Sequence, residues 1–167
     1  MAVLGLVVLA ATAAPAAAAP TAPADDQVCG AVLDHLHEGQ TSSKVLRQEC
    51  ASSQQSLESE LGTNAQTLLM VLYEDANYGG TAKYWYGAFG PCDSEGYGIR
   101  DLQQTIFNFN DRISSWQIGS SSCSGVYMYT NAVYSGQLAY WHWWSQVPYV
   151  GNAMNDRISS IHISYEP

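Results

Sequence analysis

Several kinds of residue are scarce in this chain, and each scarcity excludes a class of protein. Charged side chains make up 13% of the 167 residues, and 6 Lys and Arg stand against 15 Asp and Glu, for a net charge of -9. So low a charged fraction is not that of a disordered polyelectrolyte. The acidic balance argues against nucleic acid or a membrane as a partner. The length suits one domain with an appendage, which is enough to bury a hydrophobic core.

Motifs that mark enzymes and zinc sites are also missing. The sequence has no Gly-x-Ser-x-Gly, no His-Glu-x-x-His and no phosphate-binding Gly-rich loop. It has no Cys-x-x-Cys pair either. We therefore predict a protein that is not an enzyme.

The beginning of the chain lacks charge, and its first 72 residues lack aromatic side chains. All 11 Tyr, 5 Trp and 3 Phe lie at or after Tyr73. Residues 1–24 carry no charge, and their apolar stretch, Val3–Ala14, is shorter than the roughly 20 residues that span a bilayer. Small residues and prolines follow it. We predict that 1–24 is a signal peptide and that the mature protein is secreted and extracellular.

The four cysteines take their meaning from that prediction. Outside the reducing cytosol, Cys29, Cys50, Cys92 and Cys123 are expected to form two disulfides.

Residues 25–66 have the pattern of a helical prefix. Apolar residues recur at helical spacing before and after a Gly39–Thr41 turn, which predicts an antiparallel helical hairpin. Cys29 and Cys50 lie equidistant from that turn, so we expect them to form a disulfide. A third helix is predicted over Gln54–Leu61, ending at Gly62.

The role of the prefix is open between packing or solubilising the fold and acting as a pro-segment or partner-binding module. His35 and His37, two residues apart, would point to different faces of a helix. They are therefore expected to be solvated rather than a metal pair.

The aromatic part of the chain, 67–167, is a duplication. Short runs rich in Val, Ile, Tyr and Trp are broken by Gly, Asn, Asp and Ser, which is typical of antiparallel strands. The pattern Tyr-x4-Tyr-x-Gly starts at Tyr73 and again at Tyr129, and Asn-Asp-Arg-Ile-Ser-Ser occurs at 110–115 and unchanged at 155–160. Each repeat has about four short strands, enough for one Greek key.

The first repeat is the longer of the two. Its extra residues fall in 87–100, which contains Cys92. Cys123 lies in the link between the repeats, and a Cys92–Cys123 disulfide would brace the inserted loop.

This duplicated pattern resembles the βγ-crystallin domain. The resemblance covers about 68–165 and implies an all-β fold of two Greek keys packed as a β-sandwich, with motif 1 at about 68–119 and motif 2 at about 124–167. The helical prefix lies outside it.

The duplicated loop has the chemistry of a calcium site. Asn, Asp and Ser supply oxygen ligands, and tight turns expose carbonyl oxygens, which suits Ca²⁺ better than Mg²⁺. One carboxylate per loop predicts micromolar to millimolar affinity. The alternative is that these side chains only cap turns.

Microbial relatives pair such loops, so the resemblance implies two sites that each draw on both repeats. The candidate ligands are the side chains of the duplicated loops, with carbonyls from the arginines and from the residue after each first Tyr. They are Glu74, Asn110, Asp111, Arg112, Ser114, Thr130, Asn155, Asp156, Arg157 and Ser159.

The sequence thus predicts a secreted calcium-binding protein whose fold calcium stabilises. The alternative is a secreted metalloproteinase inhibitor on the same fold, whose partner is an extracellular protease and whose reactive loop surrounds Cys92. The sequence indicates no oligomeric state.

Overall fold

Strands dominate the described part of the chain. A computed structural model describes residues 27–62, 66–105 and 107–167, so the predicted signal peptide lies outside the described residues. The elements in chain order are β1 (Val28–Leu33), β2 (Val45–Ala51), α1 (Gln54–Leu61), β3 (Thr67–Asp75), β4 (Gly79–Gly87), β5 (Tyr97–Ile99), β6 (Ser115–Ile118), β7 (Gly125–Asn131), β8 (Ser135–His142), β9 (Gln146–Val147) and β10 (Ser160–Ser164). Short 3₁₀ turns lie at Ala76–Tyr78 and Leu102–Gln104.

The strands form two sheets that exchange members between the repeats. One sheet has the order β2-β1-β4-β3-β6-β9 and the other β5-β10-β7-β8. The first repeat supplies β3, β4 and β6 to the larger sheet and β5 to the smaller one. The second repeat supplies β7, β8 and β10 to the smaller sheet and β9 to the larger one. Each repeat thus sends its third strand across, which confirms the predicted two-motif β-sandwich.

The main core lies between the two sheets. Alternation along each strand directs one set of side chains inward. Trp85, Trp116 and Phe109 are fully buried there, together with Val126 and Ile161 of the smaller sheet. Among the described residues, no helix is long and apolar enough to cross a lipid bilayer.

The predicted helical hairpin at the N-terminal side is wrong, because both of its arms are strands. β1 pairs antiparallel with β2 and parallel with β4, so it is an interior strand of the larger sheet. Its run of apolar and small residues matches helical spacing, but it also fits a strand that is buried on both faces. Leu33 enters the main core, whereas the neighbouring Val32 faces the opposite side of the sheet.

Helix α1 covers that opposite side. It was predicted over the same residues, and Gly62 ends it in the left-handed conformation with φ of 67°. Leu57 and Leu61 are fully buried against Val32 and Tyr86, forming a second, smaller core. The segment before the repeats therefore extends the sheet and closes its outer face.

Both predicted disulfides are present. Cys29 and Cys50 are bonded and are register partners on β1 and β2. Residues equidistant from the turn of an antiparallel hairpin face each other whether its arms are helices or strands, so the pairing was right although the arms were not helices. Cys92 and Cys123 are also bonded, which ties the inserted loop to the link between the repeats.

Candidate functional site

Each repeat opens with a hairpin whose turn explains the Tyr-x4-Tyr-x-Gly spacing. Tyr73 and Tyr78 meet edge to face with ring centroids 5.7 Å apart, and Tyr129 and Tyr134 do the same at 5.7 Å. The second Tyr of each pair has positive φ, and so does the Gly two residues later. A Cβ on Gly80 would lie 2.8 Å from the Asp75 carboxylate. The motif is therefore a requirement of turn geometry.

The duplicated loops interlock through their backbones. Asp111 and Asp156 both have left-handed backbones, with φ of 56° and 52°. The Asp111 N–H donates to the carbonyl of Ile158, and the Asp156 N–H donates to that of Ile113. Each loop thus holds the aspartate of the other loop in position.

Oxygen atoms of the two repeats converge as a result. The hydroxyl of Ser159 lies 3.2 Å from Asp111 Oδ1 and 3.1 Å from the carbonyl oxygen of Thr130. In the other half, the hydroxyl of Ser114 lies 3.4 Å from Asp156 Oδ1. Each cluster therefore joins a serine of one repeat to the aspartate of the other.

The remaining carbonyl candidate occupies the equivalent place. The N–H of Ser114 donates to the carbonyl of Tyr73, as the N–H of Ser159 does to that of Tyr129. Glu74 and Thr130 directly follow these tyrosines, so the two half-sites have matching backbone frames.

The asparagines and arginines lie around these clusters. The side-chain amides of Asn110 and Asn155 donate to Oδ2 of the adjacent Asp111 and Asp156, at 2.8 and 2.6 Å. The asparagines thereby fix the carboxylates with Oδ1 toward the serine of the other repeat.

The two arginine side chains differ in their partners. Arg112 pairs with the Glu74 carboxylate at 2.6 Å, and Arg157 donates to the carbonyl of Ala153 at 3.2 Å. Partial burial of Glu74 opposes its ionisation, but hydrogen bonds from Arg112 and Thr81 and the Arg112 charge hold the pKa of this carboxyl below its usual value. The guanidinium groups are thus engaged outside the oxygen clusters.

No ready-made cluster of metal-binding side chains of other types is present in the described ranges. No three His, Cys, Asp or Glu side chains lie together there in a way that holds a metal ion. His35, predicted to be solvated, lies 3.0 Å from Asp93 with its side chain 17% exposed, whereas His37 is 65% exposed. Any cation at the duplicated loops would therefore be held by hydroxyl and carbonyl oxygens and one carboxylate per cluster.

Comparisons with solved structures found microbial domains of similar fold. A double mutant of a βγ-crystallin domain from Clostridium beijerinckii is 29% identical, with a TM-score of 0.45, and the match covers 59% of this chain and 98% of that one. A double mutant of clostrillin in complex with nickel is 27% identical, with a TM-score of 0.45, covering 60% and 100%. A βγ-crystallin domain from Flavobacterium johnsoniae is 20% identical, with a TM-score of 0.44, covering 59% and 96%. This chain resembles the βγ-crystallins.

Comparisons with protein-family profiles and with curated proteins found no match. The βγ-crystallin likeness covers the two repeats, while β1, β2 and α1 are additions that this chain packs onto them.

One pair of residues in the βγ-crystallin-like loops was missed from the sequence. Ser115 and Ser160, the second serines of the duplicated motif, are fully buried. Ser115 Oγ donates to the carbonyl of Asp75 at 2.6 Å and accepts from the N–H of Tyr78 at 3.0 Å.

Ser160 repeats this arrangement in the second motif. It donates to the Asn131 carbonyl and accepts from the Tyr134 N–H. Both serines therefore latch the hairpin turn to the loop. The signal was available, since the second serine is duplicated as faithfully as the first.

Proposed function

We propose that this chain binds two calcium ions at its duplicated loops and that calcium stabilises the Greek-key fold. The observation that carries the proposal is the convergence of the Ser159 hydroxyl, Asp111 Oδ1 and the Thr130 carbonyl within 3.2 Å of one another through the serine. A matching contact, between Ser114 and Asp156, supports a second site.

The spacing of these oxygens suits calcium. Ligands about 2.4 Å from a common Ca²⁺, at the angles of six- to eight-fold coordination, lie about 2.8–3.4 Å apart. The serine–oxygen separations of 3.1, 3.2 and 3.4 Å fall in that range. Water and further carbonyls, those of Glu74, Arg112 and Arg157 among them, would complete the coordination.

The asparagines act as supports in this proposal. Asn110 and Asn155 hold Oδ2 of each aspartate by a hydrogen bond, so Oδ1 is the carboxylate oxygen offered to the ion. A ligand fixed in this way loses little freedom on binding, which partly offsets the small number of charges. With one carboxylate per site, we expect micromolar to millimolar affinity.

Binding would raise stability by linkage. An ion that binds only the folded state contributes about 2.7 kcal/mol when it is present at 100 times its Kd. With an unfolding entropy of about 2.1 cal/mol/K per residue over roughly 140 residues, each occupied site would raise Tm by about 9 °C. Calcium would also hold the two repeats together, because each site takes ligands from both.

The test compares thermal unfolding and calorimetric titration with calcium and with chelator. The parent is expected to bind two ions and to melt higher with calcium. Ser114→Arg with Ser159→Arg places a cation in each cluster and is expected to abolish both effects. No calcium-dependent change in the parent would disprove the proposal.

Two further variants separate loss of binding from general damage. Ser52→Arg with Ser121→Arg adds the same charge at exposed serines, so its calcium response should equal that of the parent. Ser114→Ala with Ser159→Ala removes only the two hydroxyls and should keep the fold while weakening binding. The quantity compared is each variant's change between calcium and chelator, not its absolute stability.

Secretion belongs to the same proposal. Two disulfides support a protein that folds in an oxidising compartment, where calcium is also abundant. The metalloproteinase-inhibitor alternative stays a prediction. Phe89, 72% exposed, precedes the disulfide-bonded Cys92 in the inserted loop, so a thermolysin-type assay with Phe89→Ala as the control tests it.

A further inference from the structure

The outer edge of β8 is free in the described part of the chain. β8 pairs with β7 on one side, and no described strand lies on its other side. An edge of this kind presents a row of N–H and C=O groups to which another strand can bind.

Nothing in the sequence of β8 blocks such pairing. Between Arg112 and Asp156 the chain contains no Asp, Glu, Lys or Arg. Natural edge strands commonly carry charged residues or proline that prevent association. The long edge strand of the other sheet, β2, follows that rule with Arg47 and Glu49. β8 is therefore the unprotected edge of this molecule.

Exposed apolar side chains gather around the same edge. They are Val133 (53% exposed), Leu138 (48%), Tyr140 (44%), Trp143 (59%), Trp144 (56%) and Tyr149 (44%). Along β8, Ala139 and Trp141 pack against the core, so Leu138 and Tyr140 lie on the outer face. A strand added at this edge would cover part of that outer row.

Charge points to a second copy as the occupant. Two chains of net charge -9 repel each other over most of their surfaces, and the uncharged β8 region is where they can approach closely. The carboxylate of Glu166 contacts the hydroxyls of Tyr127 and Tyr140, and it also lies against Gly125 of β7. It is therefore set back from the free edge.

We propose that two copies of this chain pair antiparallel through β8 about a two-fold axis, which joins their four-stranded sheets into one continuous sheet. A strand that pairs with its own copy in antiparallel fashion satisfies both edges with one sequence and closes the assembly at two chains. Leu138 lies near the middle of β8 and so near the axis, where its copy faces it.

The test measures the mass of the untagged secreted chain by light scattering and sedimentation, in calcium, up to roughly 100 µM, where interfaces of small area are populated. The parent is expected to form a dimer. Leu138→Glu places like charges near the axis and is expected to weaken association on the order of tenfold or more. Leu46→Glu is the matched control, because Leu46 is an exposed leucine (40%) on the other edge strand.

A charge-swap experiment makes the assignment specific. Leu138→Glu and Leu138→Lys should each be monomeric, and mixing them should restore a heterodimer that is detectable by energy transfer between labelled chains. A monomeric parent would overturn the proposal and leave β8 to a different partner. Open-ended oligomers, or a dimer broken by Leu46→Glu rather than Leu138→Glu, would overturn it as well.

Discussion

Removing the Cys29–Cys50 disulfide tests whether the N-terminal hairpin is part of the cooperative fold. The two cysteines are 21 positions apart, so loop-closure entropy gives a loss of about 3.3 kcal/mol when both are replaced by alanine. For a cooperative unit of roughly 140 residues, that loss lowers Tm by about 11 °C. Substitution is preferable to a reducing agent, which would open both disulfides.

The assay is calorimetry of Cys29→Ala with Cys50→Ala in saturating calcium, beside the parent. Because β1 is hydrogen-bonded to both β2 and β4, we expect one transition that moves as a whole. Cys92→Ala with Cys123→Ala, which opens a separation of 31, should cost slightly more, about 3.7 kcal/mol. A hairpin that melts separately while the main transition keeps the parent Tm would refute the reasoning.

Three other substitutions test the packing, the electrostatics and the latches. Leu57→Ala should cost about 3–4 kcal/mol in denaturant unfolding because Leu57 is fully buried under α1, whereas Leu46→Ala, at an exposed leucine, should change little. Hydrogen bonds from tyrosine hydroxyls hold the pKa of Glu166 below its usual 4.5, so the stability it contributes is present above that pH and is lost as the pH falls through the lowered pKa. Tyr140→Phe should therefore flatten the acid limb of a pH–stability curve. Ser115→Ala leaves a buried carbonyl and N–H unpaired and should cost about 1–3 kcal/mol, with calcium or without it.

The sequence predicted the duplicated half of the fold well because its motifs are local. Tyr-x4-Tyr-x-Gly describes a turn with positive φ, and Asn-Asp-Arg-Ile-Ser-Ser describes one loop. Duplication at two places in order then implied paired Greek keys. The two disulfides followed from hairpin symmetry and loop length, which do not depend on the type of secondary structure.

The N-terminal arms could not be predicted in the same way, because tertiary pairing decides them. Val28–Leu33 is short and apolar, so helical spacing and a buried strand describe it equally well. What selects the strand is the open edge of β4, which lies far along the chain and which no local pattern reveals. Gly30 fits this pairing, since a Cβ there would lie 2.8 Å from the carbonyl oxygen of Tyr84.

Reciprocal calcium binding is tested most directly by calorimetric titration of paired variants. Ser159→Ala with Asp111→Asn alters two ligands of one proposed site, so one ion should still bind with the affinity of the parent. Ser159→Ala with Asp156→Asn alters one ligand in each site, so both affinities should fall. Equal damage to both sites by the first pair, or an intact site in the second, would contradict the account.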